Sequence, residues 1–226
     1  MKPLVWSYTF NRDFDNCPRK AHHRYVLRDL GPFVETDEIK YGNVVHDALN
    51  NRTRNVPLPA EMGSFEPYAL ALQPYIDADQ VRGEWQLGVR LDGSPCDFFD
   101  NEVFMRGKID VTIMPNAQQA HITDWKTGND KYEDPMELEG NAIMLSAHHP
   151  RLTVITGNFV WLKTDRIGIT YNLTERLPDR WSKIVNLMTV IIPSMDVWPP
   201  RPNPLCSYCP VGPKKCEHWK PPPPKR

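Results

Sequence analysis

Two short stretches hold the residues best suited to chemistry in this 226-residue chain. The first is Arg106-Gly107-Lys108-Ile109-Asp110, and the second is Ile122-Thr123-Asp124-Trp125-Lys126-Thr127-Gly128. Side chains alternate along a strand, so Asp124 and Lys126 project to the same side. On the preceding stretch Gly107, Ile109, Val111 and Ile113 compose one apolar face, which leaves Asp110 on the other with Lys108 and Arg106. If the strands are neighbours, two carboxylates and an ammonium converge. Carboxylates held close together repel, and each is driven toward protonation unless a cation compensates. A hard divalent ion, Mg²⁺ or Mn²⁺, does so, because it prefers oxygen ligands and keeps waters that can become nucleophiles. Lys126 would then orient such a water or stabilise charge building on a phosphoryl oxygen. A surface ion pair between Asp124 and Lys126, with Asp110 on a solvated face, accounts for the same residues on spacing alone.

The sulfur chemistry is separate. The chain has five cysteines, Cys17, Cys96, Cys206, Cys209 and Cys216. The start of the chain has no long apolar stretch before Asn11-Arg12-Asp13, so we expect a cytoplasmic protein without a signal peptide. An odd cysteine count there makes metal or cluster ligation a better reading than a disulfide framework. Cys206-Ser207-Tyr208-Cys209, followed by Cys216, lets neighbouring thiolates bite one centre, as zinc and iron–sulfur sites both require. His218 as the fourth ligand would suit zinc, and Cys17 would make a four-thiolate site. Cys96 reads as a spare thiol.

The elements that must position these groups follow from pattern and punctuation. Ser7 is a candidate N-cap and Pro18 a candidate first helical residue, which gives two short helices joined at Cys17. Another helix is expected from Thr36 to about Asn51, with His46 on it, and a further one over Phe65–Ala78 interrupted at Pro74. Strands follow at Glu84–Leu91, Glu102–Met114 and Gln119–Trp125, separated by Asp92-Gly93 and Pro115-Asn116 turns. Pro135 opens a helix to about His148, Thr153–Leu162 and Arg166–Leu173 form a hairpin, and a helix runs from Arg180 to about Ile192. The order predicts an α/β protein, a mixed central sheet flanked by helices with a cysteine-bearing appendage. A Pro-rich tail occupies 221–226.

Composition removes several classes. Hydrophobic residues make up 40% and charged residues 24%, which fits a globular chain, and no apolar run approaches the roughly 18–20 residues of a spanning helix. No membrane partner is expected. With 27 Lys+Arg against 28 Asp+Glu the net charge is −1, so contact with nucleic acid has to come from local patches.

Taken as a series, these motifs resemble the core of the PD-(D/E)XK nuclease superfamily, in its RecB-like branch. That branch has a helical His, a Gly-x-x-Asp strand, an Asp-x-Lys strand and a Gln-x-x-x-Tyr helix. Gly42-Asn43-Val44-Val45-His46 fits the first, Gly107 to Asp110 the second and Asp124 to Lys126 the third. The resemblance implies a restriction-endonuclease-like core in a single nuclease domain over the whole chain. It implies that His46, Asp110, Asp124 and the main-chain carbonyl of Trp125 bind Mg²⁺ or Mn²⁺, with Lys126 catalytic. The fourth motif departs, placing Glu137 where the family has Gln and Asn141 where it has Tyr. Glu84 lies in the preceding strand, where the family often has an acidic residue. Asn16-Cys17-Pro18-Arg19-Lys20 together with Pro204-Leu205-Cys206-Ser207-Tyr208-Cys209-Pro210 is similar to iron–sulfur-bearing members, CRISPR-associated exonucleases and the AddB nuclease domain among them. There, one N-terminal and three C-terminal cysteines hold a [4Fe–4S] cluster, so Cys17, Cys206, Cys209 and Cys216 are the implied ligands, from segments 1–30 and 197–220.

The implied activity is metal-dependent hydrolysis of DNA, by an exonuclease acting on single strands or ends. DNA would be gripped by Arg19, Arg24 and Tyr25 of the basic second helix, where a solvated helix face explains the charges equally well. Protein partners in recombination, repair or CRISPR adaptation are compatible with this machinery. The competing reading is a non-catalytic DNA-binding or adaptor protein that keeps the fold.

Overall fold

A computed structural model describes residues 3–31, 35–129 and 133–221. The tail expected at 221–226 lies outside the described residues except for Pro221. The chain divides into two compact units, one made of Glu35–Lys183 and the other of the two ends, Met1–Val34 with Ile184–Arg226.

The larger unit begins with α3 (Asp37–Arg52). Thr36 caps it, its hydroxyl oxygen accepting from the Ile39 N–H at 3.4 Å, and Asp37 and Glu38 place negative charge in the first turn. Val45 and Leu49 are its buried face. They pack with Met62 and Phe65 of a following 3₁₀ turn and with Leu72 of α4 (Glu66–Asp77). Pro74 lies inside α4 without ending it, unlike the expected interruption. The carbonyl it leaves unpaired belongs to Leu70, which is exposed, so water can satisfy it.

Among the described residues seven strands form one sheet, flanked by helices, which is the expected mixed α/β class. The strands are β1 (Val81–Val89), β2 (Pro95–Cys96), β3 (Met105–Asn116), β4 (Gln119–Lys126), β5 (Val154–Trp161), β6 (Arg166–Ile167) and β7 (Tyr171–Asn172). Their spatial order is β2-β1-β3-β4-β5-β6, with β7 also on β5. The second arm of the predicted hairpin is therefore two short strands instead of one. Antiparallel pairing joins β1, β3 and β4, whereas β4 and β5 are parallel. The crossover between them is α5 (Pro135–His148), which starts at Pro135 as expected, with Asp134 as its N-cap.

The apolar face expected on β3 does not run straight. Val111 and Ile113 join Val45, Leu49 and Leu72 in the core under α3 and α4. Gly107, of the same parity, instead lies under α5, where a Cβ would meet Met144 Cε at 2.5 Å. On β1, Gly83 lies against Asn50 of α3, while the Trp85 ring stands 5.3 Å from His149 at the end of α5. Between them Glu84 has a left-handed φ of +48°. Gly83 still pairs with Val111 and Trp85 with Ile109, so the ladder passes through a local twist opposite Asp110.

In the smaller unit Ser7 caps α1 (Tyr8–Asn16), accepting from the Phe10 N–H at 3.2 Å. Cys17 breaks the helix in extended conformation, and Pro18 opens α2 (Pro18–Ala21), which widens into a π-type turn over His22–Leu27. Buried Asp13 gathers Lys20 at 2.7 Å, Arg24 at 2.6 Å and the Tyr25 hydroxyl at 3.1 Å. The C-terminal segment returns to this pair of helices, with Trp198 stacked on His22 and the Asn203 side chain donating to the Asn16 carbonyl. The last helix, α6 (Leu177–Asn186), starts three residues earlier than expected, within the larger unit, and its end continues in the smaller unit as a π-type turn to Ile191. Among the described residues no helix is long and apolar enough to cross a membrane.

Candidate metal centre

The site lies in the larger unit, where β3 and β4 part. Their paired register stops at Val111 opposite Thr123, and the next β4 amide to face β3, that of Trp125, donates to Asp110 Oδ2 at 2.9 Å. This bond fixes one carboxylate oxygen and leaves Oδ1 for other partners. His46 projects from α3 to place Nδ1 at 3.4 Å from Asp110 Oδ1 and 3.7 Å from Glu84 Oε1. Ligating atoms of His46, Glu84 and Asp110 all lie within 4.8 Å of one another, and all three side chains are largely buried. One imidazole and two carboxylates at that spacing suit a divalent cation of the Mg²⁺ or Mn²⁺ type.

Asp124 and Lys126 stand beside this trio, on the same side of β4 as the alternation requires. Lys126 Nζ is 2.6 Å from Asp124 Oδ2 and 2.7 Å from Glu137 Oε2, in the first turn of α5. Lys108 pairs with Glu84. The Asp110, Asp124 and Lys126 expected together from the sequence are therefore neighbours, and His46 joins them. Trp125 contributes its amide to Asp110 and buries its indole in the core near Tyr68. Asn141 is buried in α5, its Oδ1 3.4 Å from where a Gly107 Cβ would lie.

The electrostatics of the cluster are those of crowded carboxylates. Burial pushes the Asp124 carboxyl well above its ordinary range, and the Glu137 charge pushes it further, against the pull of Lys126. Burial by itself would lower His46, but hydrogen bonds to Asp110 and Glu84 and the charges of Asp110 and Asp124 raise it to about 10. Burial likewise opposes the charge on Lys126, yet Asp124 and Glu137 raise its pKa above the ordinary lysine value. Glu84 is lowered, its burial outweighed by His46 and Lys108. The group thus strongly favours positive charge at its centre, which a bound cation supplies as well as protons do.

Sequence reasoning placed an acidic residue at Glu84 without assigning it to the site. The signal available was register, since Glu84 falls opposite Asp110 once β1 and β3 pair. The left-handed φ that aims it toward His46 left no mark in the residue type, because glycine or asparagine is the usual occupant of such a position.

In the smaller unit, Cys17, Cys206, Cys209 and Cys216 line one cavity of about 210 Å³, together with His218 and Trp219. None of the four is in a disulfide. Backbone N–H groups point at the sulfurs, from Arg201 to Cys17 at 3.4 Å and from Asn203 to Cys206 at 3.3 Å. Burial raises the Cys209 thiol, and a backbone hydrogen bond from Val211 opposes that shift. Such N–H donors stabilise thiolate and cluster sulfurs. Cys96 belongs to the larger unit, buried against Gly88.

The residues assigned to gripping DNA have partners of their own. Arg19 pairs with Glu217 at 2.5 Å, and Arg24 and Tyr25 both reach Asp13. Burial and the Asp13 charge push the Tyr25 hydroxyl up to about 12.

No protein-family model matches this chain, and no curated protein does. The fold is similar to that in the crystal structure of SSO0001, with 19% sequence identity and a TM-score of 0.42, over 91% of this chain and 85% of that one.

Proposed function

We propose that this protein is a metal-dependent deoxyribonuclease of the PD-(D/E)XK superfamily, RecB-like branch, acting as an exonuclease on single-stranded DNA or DNA ends. The observation that carries the reading is the meeting of His46, Glu84 and Asp110, from α3, β1 and β3, within 4.8 Å of one another, with Asp124 of β4 near enough to act on His46 and itself paired with Lys126. His46, Glu84 and Asp110 would hold Mg²⁺ or Mn²⁺, with Asp124 beside them. The ion when bound supplies Lewis acidity and a water of lowered pKa. Lys126 keeps its proton and can donate to a non-bridging phosphoryl oxygen as charge develops there. Asp110 is held in one orientation by the Trp125 amide.

The cysteine site is proposed to hold a [4Fe–4S] cluster. What supports it is that the four cysteines line one cavity, with backbone N–H groups of Arg201 and Asn203 directed at two of the sulfurs. A cluster bound there would tie Cys17 to the C-terminal segment, a structural role, since closing so long a loop restricts the unfolded chain.

A second reading, a DNA-binding or adaptor protein without catalysis, is favoured by one contact. Glu137, where the family has Gln, ties up Lys126 at 2.7 Å. The test is degradation of end-labelled single- and double-stranded DNA by anaerobically purified protein with Mn²⁺. The enzyme reading expects cleavage that Asp110→Ala and Lys126→Ala each abolish. Intact DNA, or cleavage that survives both substitutions, overturns it. Iron and sulfide at about four each per chain, with a visible charge-transfer band, is the expected cofactor result. Stoichiometric zinc without iron would exclude the cluster.

A further inference from the structure

Phe98 and Phe99 stand edge to face in the loop between β2 and β3, their ring centroids 4.8 Å apart. Phe99 is 76% exposed, more than any other large apolar side chain described. The Arg106 guanidinium lies 4.9 Å from the Phe98 centroid and 5.8 Å from that of Phe99, and it donates to the Phe98 carbonyl at 3.4 Å. Of the acids in the same loop, Asp100 and Glu102 reach Arg90 at 2.6 and 3.6 Å, while Asp97, beside Phe98, is exposed. The Phe99 ring is presented to solvent with the Arg106 guanidinium beside it.

The position of this pair on β3 matters. Arg106, Lys108 and Asp110 alternate along one strand, and two residues of strand cover roughly 7 Å. Arg106 therefore lies about 14 Å along β3 from Asp110, with Lys108 midway. A polynucleotide strand with one phosphate at Asp110 and its course along β3 would pass Lys108 with its backbone and reach the rings with a base. Stacking on an aromatic face beside an arginine is the sequence-tolerant way to hold an unpaired base.

We propose that Phe98 and Phe99, in the loop before β3, form with Arg106 of that strand a base-stacking subsite for single-stranded DNA. The proposal rests on the nuclease reading above. Its test is fluorescence anisotropy of labelled oligothymidylate with the intact protein in Ca²⁺, alongside the Mn²⁺ cleavage assay. Phe99→Ala should weaken binding roughly five- to tenfold, while Phe99→Trp retains it and adds a tryptophan emission that the oligonucleotide quenches. Arg106→Lys, which keeps the charge and loses the planar group, should fall between. Because Phe99 is exposed, an unchanged melting temperature is expected for both Phe99 variants. If the wild type cuts DNA and Phe99→Ala binds and cuts equally well, the subsite is wrong and the nuclease reading stands. If the wild type neither binds nor cuts DNA, the nuclease reading fails and takes the subsite with it. Binding without cutting that is weakened by Phe99→Ala supports the subsite and refutes the hydrolase.

Discussion

His46 offers the most quantitative test of the metal centre. Its ordinary pKa of 6.5 rises to about 10 here, so the folded protein holds this proton far more tightly than the unfolded chain does. The group's stability contribution is then fully present below pH 6.5 and lost as pH rises through about 10. At about 1.36 kcal/mol per pH unit, that interval amounts to at most about 5 kcal/mol. The side chain is 25% exposed, and solvent screening of that part brings the expected figure to about 2–4 kcal/mol. The perturbation is His46→Gln, and the assay is urea unfolding at pH 6, 8 and 10 with divalent ions removed on a chelating resin. The wild type should exceed the variant by about 2–4 kcal/mol at pH 6 and lose most of that margin by pH 10. Mn²⁺ should expel the same proton at pH 7, counted by calorimetry in two buffers of different ionisation enthalpy. A margin that does not change with pH, or equal proton release from both proteins, would refute the reasoning.

Three further outcomes are expected. Glu84→Gly should remove the left-handed strain of a non-glycine residue, worth about 1–2 kcal/mol, while weakening Mn²⁺ binding at least tenfold; undiminished affinity by titration calorimetry would take Glu84 out of the site. Lys126→Met should destabilise the ion-free protein by about 2–3 kcal/mol, because Asp124 and Glu137 lose their buried cation, and Mn²⁺ should restore part of the loss in thermal melts. Cys17→Ser should lower iron content and increase proteolysis within Met1–Val34 and Ile184–Arg226, with Glu35–Lys183 left resistant; uniform cleavage would contradict a local staple.

Much of this arrangement was legible in the sequence because its determinants are local. Ser7, Thr36 and Pro135 mark helix starts through hydrogen-bonding and dihedral preferences that act within one turn, and each begins its helix where expected. Asp124 and Lys126 share a side because β4 is regular from Gln119 to Lys126. Legibility ended where geometry is set by tertiary twist. The Gly107-to-Ile113 face crosses from α5 to α3 at the point where Glu84 turns left-handed, and no pattern of period two can register a crossing. The bonds of Arg24 and Tyr25 to Asp13, eleven or more residues earlier and buried, are likewise set by tertiary packing and left no local mark in the sequence.

The same crossing explains how four carboxylates can share so small a volume. Glu84, Asp110, Asp124 and Glu137 come from three strands and one helix, so no single element has to fold against the repulsion of adjacent like charges. Lys108 and Lys126 offset two of them through direct ion pairs. With all four acids ionised, the four carboxylates and the two lysines sum to −2. A divalent ion brings that sum to zero, and so does protonation of His46 together with Asp124, whose carboxyl burial pushes well above its ordinary range. A neutral imidazole is the form that can ligate, so an ion and a proton compete for His46.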